Sequence, residues 1–192
     1  MSVEKASGTP QDVLEKRLAA LRWKRGLLEL VKSLLWCVFI TTVLLQAVFG
    51  IIVVNGSSMY PALNDGDVGV FFRLAGGRYE AGDIVLIKMS NGKDYIKRIC
   101  AGPGDMVDVT GSGQLLINGA VAGEGSAFGQ TAAEKNSIVN YPVQLGENEY
   151  FVLGDNREHS TDSRSFGVVT GGSIEGKLIF LFRVIGEADR GV

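Results

Sequence analysis

Residues 33–54, SLLWCVFITTVLLQAVFGIIVV, run for 22 positions without one charged side chain. At about 1.5 Å rise per residue, a helix over that run would be roughly 33 Å long and would match a hydrocarbon core of about 30 Å. A buried helix of a water-soluble domain keeps a polar face, and the apolar part of a cleaved leader is only about 7–15 residues long. The length therefore predicts a transmembrane helix over 33–54, crossing a bilayer once. Nothing after Lys177 is long enough to cross again, because Arg183 interrupts the apolar Leu178 to Ile185.

Charge orients that span. Residues 1–32 hold seven basic and four acidic side chains, a net +3, whereas 55–192 hold 12 and 17, a net −5, and together these give the chain's −2. Basic residues next to a span stay on the cytoplasmic side. The reading is a cytoplasmic, helical segment over 1–32 and an extracytoplasmic domain over 55–192. Thr9-Pro10-Gln11-Asp12 has the capping hydroxyl, first-turn proline and acid of a helix start.

Beyond residue 54 short apolar runs alternate with Gly, Asp, Asn and Pro. Val68–Leu74, Asp83–Met89, Asp94–Ala101, Met106–Thr110, Gln114–Val121, Glu149–Leu153 and Lys177–Ile185 read as strands, with Ser90-Asn91-Gly92-Lys93 as a hairpin turn. No long amphipathic helix competes with them. The fold class expected is mainly β, an antiparallel outer domain behind one N-terminal transmembrane helix. Residues 122–148 are small and polar, and read as an insertion or mobile loop.

Composition removes several functions. Cys37 lies in the apolar run and Cys100 in the outer domain, so no disulfide framework is available. A single histidine, His159, with one outer-domain cysteine cannot assemble the usual nitrogen and sulfur ligand set for zinc, so no metal is expected. The near-neutral balance and scattered Lys and Arg also argue against a nucleic-acid partner.

Three segments carry chemistry: Gly56-Ser57-Ser58-Met59-Tyr60-Pro61, Asp94-Tyr95-Ile96-Lys97-Arg98, and the run from Gly154 to Arg164, GDNREHSTDSR. Each alone fits a plainer role, as a turn, a solvated strand face and a polar loop. The third is the most unusual, because carboxylates, guanidinium groups and hydroxyls alternate directly after apolar Tyr150–Leu153. Such a loop can satisfy itself by Asp–Arg pairing and form a rigid polar wall at a strand end.

Together, Ser58-Met59-Tyr60-Pro61, Tyr95-Ile96-Lys97-Arg98 with Gly102-Pro103-Gly104-Asp105, and the Gly154–Arg164 run resemble, in order and spacing, the signature boxes of bacterial type I signal peptidases. The resemblance extends over residues 33 to about 185. It implies an outward-facing β domain that cleaves the signal peptides of exported preproteins after small residues, with no cofactor. By position it makes Ser58 the nucleophile and Lys97 the general base. Ser160 would hydrogen-bond the lysine, and Asp162 and Arg164 would brace the site. Many relatives have a second oxyanion donor, a serine two positions before the nucleophile, where this chain has Gly56. The backbone N–H of Ser58 is left as the donor, with Ser57 as a helper.

The residue chemistry is consistent with that assignment. A serine hydroxyl needs an adjacent base, and lysine can serve only if its pKa falls well below the model value of about 10.4, which burial can accomplish. Strand alternation puts Tyr95, Lys97 and Ile99 on one face and turns Arg98 away. Met59, Tyr95 and Ile96 would make the substrate wall apolar and crowded, admitting small side chains such as Ala. His159 and Cys100 are not expected to act as base or nucleophile. The rival readings are a different Ser-Lys processing peptidase and a membrane-tethered binding module. The binding module would leave Ser58 and Lys97 far apart.

Overall fold

The computed structural model describes residues 10–73, 79–90, 92–123, 125, 127–132 and 138–183. The chain falls into two compact units, Met1–Gln46 and Ala47–Val192. The first is carried by helix α1, Pro10–Val48, in which Leu14–Val48 is the one helix among the described residues long and apolar enough to cross a membrane. Its apolar side chains, including Leu34, Leu35, Val38, Phe39 and Leu44, have no protein packed on them. The capping residue expected for it, Thr9, lies outside the described residues.

The helix expected over 33–54 stops at Val48. Phe49–Val53 is instead the first strand, β1, paired antiparallel with β2, Val68–Phe72, along its whole length from Phe49 opposite Phe72 to Val53 opposite Val68. The reason lies in the last residues of the run. Ile51, Ile52 and Val53 are β-branched and fit a pleated surface, while Gly50 lowers helix propensity. Gly50 also has a packing role, since a Cβ there would come within 2.9 Å of the Arg73 guanidinium.

The remaining strands are β3 (Ile84–Lys88), β4 (Asp94–Ala101), β5 (Met106–Val109), β6 (Leu115–Ile117), β7 (Ala120–Val121), β8 (Val143–Gln144), β9 (Glu149–Leu153), β10 (Val169–Thr170) and β11 (Ile174–Phe182). Between β9 and β10 lies the short helix α2, Ser163–Phe166. A seven-stranded sheet has the order β1-β2-β11-β3-β4-β9-β10, and a four-stranded sheet the order β7-β6-β5-β8. Every pairing is antiparallel. The mainly antiparallel β domain behind one apolar helix is the fold class expected.

Two local expectations change. Gln114–Val121 is a hairpin rather than one strand, because Asn118 and Gly119 both take left-handed φ values, 55° and 79°, the geometry of a tight two-residue turn. The segment 122–148 is not wholly loop. Val143–Gln144 pairs with Met106–Val107 to complete the smaller sheet, and Phe128 forms a parallel bridge with Asn156. Residues 124, 126 and 133–137 of it lie outside the described residues, as does the end of the strand expected to reach Ile185.

Candidate active site

Ser58 sits in the turn that follows β1. The turn is tied at both ends: Gly56, at φ +87°, donates its N–H to Asp65 Oδ1 at 2.6 Å, and Tyr60 N donates to Ser57 O at 3.1 Å. Downstream, Met59 and Leu63 pack with Val54 in a small apolar cluster that anchors the turn to the sheet. Lys97 lies in β4, opposite Val85 of β3, and is only 2% exposed. These two residues, 39 positions apart, meet with Lys97 Nζ 2.7 Å from Ser58 Oγ.

Burial is the main reason the Lys97 pKa is pushed down to about 8 from its ordinary 10.5. The Asp162 carboxylate acts in the opposite direction, favouring the charged form, and Arg164 offsets it. The geometry explains the balance. Asp162 is fully buried and accepts from Arg164 Nε at 2.8 Å, Arg164 Nη2 at 2.9 Å and Gly154 N at 3.0 Å. Asp155 is held by Arg98 through two bonds of 2.8 and 2.7 Å. Each carboxylate near the lysine is thus matched by its own guanidinium, which weakens its pull toward the charged amine.

Lys97 and Arg98 border different cavities, as alternation along β4 predicts, whereas Ile96 lines the Lys97 cleft and Ile99 the Arg98 cavity, the reverse of what it predicts for them. Lys97, with Ser58, borders a cleft of about 280 Å³ walled by Ile52, Val53 and Asn55 on one side and Asp94, Tyr95 and Ile96 on the other. Arg98 and Cys100 line a second cavity, of about 290 Å³, which contains neither Ser58 nor Lys97. Tyr95 lies with its ring centre 5.8 Å from Lys97 Nζ. Met59, expected on the substrate wall, is buried in the apolar cluster and presents only part of its side chain to the cleft.

The polar loop from Gly154 to Arg164 braces the turn, partly through residues whose roles were not foreseen. Asn156 donates its backbone N–H to Ser58 O at 3.0 Å and its Nδ2 to Ser57 O at 3.1 Å, gripping two successive carbonyls beside the nucleophile. Gly154 is required by proximity, since a Cβ there would overlap Ser160 and the Ser58 carbonyl. Asp162 caps α2, accepting from the backbone N of Arg164, while Ser163 Oγ accepts from Val152 N at 2.9 Å. These interactions depend on tertiary approach. The one signal for them in the sequence is the density of polar groups after β9.

Ser160 departs from expectation. Its hydroxyl is buried beside Gly154 but has no hydrogen-bond partner, and Lys97 Nζ is directed to Ser58 instead. Ser57 is exposed, and it is its carbonyl rather than its hydroxyl that is engaged. His159 is exposed at the end of a short 3-10 turn. Burial holds the Cys100 thiol up at about 12, so it stays protonated and makes a poor nucleophile. Among the described residues no cluster of three or more His, Cys, Asp or Glu side chains could hold a metal ion.

Ser58 and the buried Lys97 thus meet on an antiparallel β domain that follows the one long apolar helix among the described residues. The family model for signal peptidase, peptidase S26, matches residues 27–183. Signal peptidase I S of Bacillus subtilis is 34% identical over 85% of this chain and 93% of its own length, and signal peptidase I T of the same organism 31% identical over 95% of each. Signal peptidase IB of Staphylococcus aureus is 29% identical over 83% of this chain and 91% of its own. The chain belongs to the signal peptidase family, peptidase S26.

Proposed function

We propose that the protein is a membrane-bound endopeptidase that removes N-terminal signal peptides from exported preproteins, with Ser58 as nucleophile and Lys97 as general base. The observation that carries the reading is the 2.7 Å approach of Lys97 Nζ to Ser58 Oγ within a buried site that lowers the lysine pKa to about 8. At pH 7 roughly one lysine in ten would then be neutral, against about one in three thousand at 10.5.

Neutral Lys97 takes the Ser58 proton as Oγ attacks the carbonyl carbon of the residue before the cut. The oxyanion that forms is met by the Ser58 backbone N–H, held in place by the Asn156 grip on the neighbouring carbonyls. The lysine ammonium passes its proton to the leaving amine and the acyl-enzyme ester remains. A water molecule, deprotonated by Lys97, hydrolyses the ester and restores both groups. Asp162 and Arg164 brace the loop. Ser160, buried and close to Ser58, can turn its hydroxyl to the ammonium when that forms.

The substrate approaches as an extended chain along the cleft between residues 52–55 and 94–96, with alternate side chains entering it. Ile52, Val53, Tyr95 and Ile96 on its walls favour small residues such as Ala immediately before the cut and two positions further upstream. The basic segment before the span keeps the N-terminus in the cytoplasm and puts the β unit on the other side. Incubation of the detergent-solubilised protein with a preprotein tests the reading: the wild type should release mature product, and Ser58→Ala and Lys97→Arg should not. Mature product at the same site from Lys97→Arg would remove Lys97 as the base, because arginine does not give up its proton.

A further inference from the structure

Resting on the peptidase reading above, we propose that Tyr60 and Phe128 form the wall that receives the first residues after the cut, and that they select an apolar or aromatic side chain there. Tyr60 follows Ser58 by two positions, and while Met59 between them turns into the core, Tyr60 remains 46% exposed. Phe128, 53% exposed, lies edge-on to it, with ring centres 5.7 Å apart at 86°.

Neither ring hangs on a free loop. Phe128 N donates to Asp155 O at 2.7 Å and Phe128 O accepts from Arg157 N at 2.8 Å, so its backbone is fixed on both sides of Asn156, the residue that holds Ser58 O. The Tyr60 backbone is bonded back to Ser57. The pair is thereby set in register with the nucleophile from two directions. Neither ring borders the cleft that contains Ser58, Tyr95 and Ile96. An extended substrate whose leading residues fill that cleft runs on past Ser58, and the aromatic pair, outside the cleft but tied to the backbone on either side of Ser58 and Asn156, is placed to meet the residues that follow. Side chains alternate along an extended chain, so one of the first two positions after the cut faces the rings. An apolar or aromatic side chain there covers exposed ring surface and adds an edge-to-face contact.

The test uses the full-length protein in detergent and peptides identical before the cut, carrying Phe or Ser at the first or the second position after it. At one of those positions the wild type should cut the Phe peptide about threefold to tenfold faster in kcat/KM than the Ser peptide. Phe128→Ala should bring that ratio close to one, and Phe128→Tyr should restore it. Because the ratio is taken within one preparation, differences in folded fraction cancel. A wild-type ratio near one at both positions, or an undiminished ratio in Phe128→Ala, would overturn the proposal and leave the peptidase reading intact. A ratio lost in Phe128→Ala but not recovered in Phe128→Tyr would place the effect in the loop and also overturn it. Failure of the wild type to cut any peptide or preprotein would sink the peptidase reading and this proposal with it.

Discussion

Replacing Lys97 by methionine should make the protein more stable at neutral pH and inactive. The charged form of Lys97 is disfavoured by burial, with its pKa at about 8 when folded against an ordinary 10.5. At about 1.36 kcal/mol per unit, keeping that charge in the fold costs about 3 kcal/mol at any pH below 8. Between pH 8 and 10.5 the unfolded chain binds more protons than the folded one, so wild-type stability rises with pH across this window. Above 10.5 the amine is neutral in both states and the cost is gone. Methionine is close to lysine in length and unbranched, and never carries the charge. It loses the contact with Ser58 Oγ, which contributes about 1 kcal/mol. Lys97→Met should therefore gain about 2 kcal/mol at pH 7, and the gain should shrink and reverse by about pH 10.5. Urea denaturation in mild detergent, followed by near-ultraviolet circular dichroism at several pH values, measures both proteins. Other groups titrate equally in the two, so the difference isolates Lys97. A constant difference from pH 7 to 10.5, or a variant less stable than wild type at pH 7, would refute the claim that Lys97 is held against its charge.

Arg164→Gln strips the buried Asp162 carboxylate of its main partner, so the Lys97 pKa should rise and the rate–pH profile should shift upward, with about 3–5 kcal/mol of stability lost; an unmoved profile in the folded variant would break the proposed link between the two residues. Gly154→Ala should force Ser160 and the Ser58 carbonyl apart, lowering kcat/KM by a hundredfold or more while costing about 1–3 kcal/mol of stability, and full activity would show that the turn tolerates displacement. Asn156→Ala removes one clamp on Ser57 together with a buried carbonyl oxygen that has no partner, so stability should change by less than about 1 kcal/mol while the rate drops about tenfold, as steady-state kinetics alongside denaturation would measure; an unchanged rate would show that the backbone bond to Ser58 alone holds the turn.

Local pattern was enough for the parts of this protein whose physics is local. An uncharged run of the right length specifies a helix that cannot stay in water, and short apolar runs bounded by turn residues specified β4 and β9 to their end residues. Alternation also placed Lys97 and Arg98 on opposite sides of one strand before any partner was known. The three segments pointed to a candidate site only together, through the order and spacing in which they resemble the family's signature boxes.

Pairing between distant segments belongs to the tertiary structure. Whether Phe49–Val53 continues a helix or joins a sheet depends on the complementary row offered by Val68–Phe72, and nothing within the apolar run reveals that partner. The same pairing makes Ile52 and Val53 a wall of the cleft, although by composition they looked like lipid-facing residues. The meeting of Ser58 with Lys97, the turn of Met59 into the core and the bridge from Phe128 to Asn156 all follow from how strands and loops register across the fold. A lysine's pKa depends on the water taken from it and the charges set around it. The sequence supplied the amine, and the packing of β4 beneath the Ser58 turn, with Asp162 and Asp155 each matched by an arginine, lowered its pKa into the range where it can act as a base.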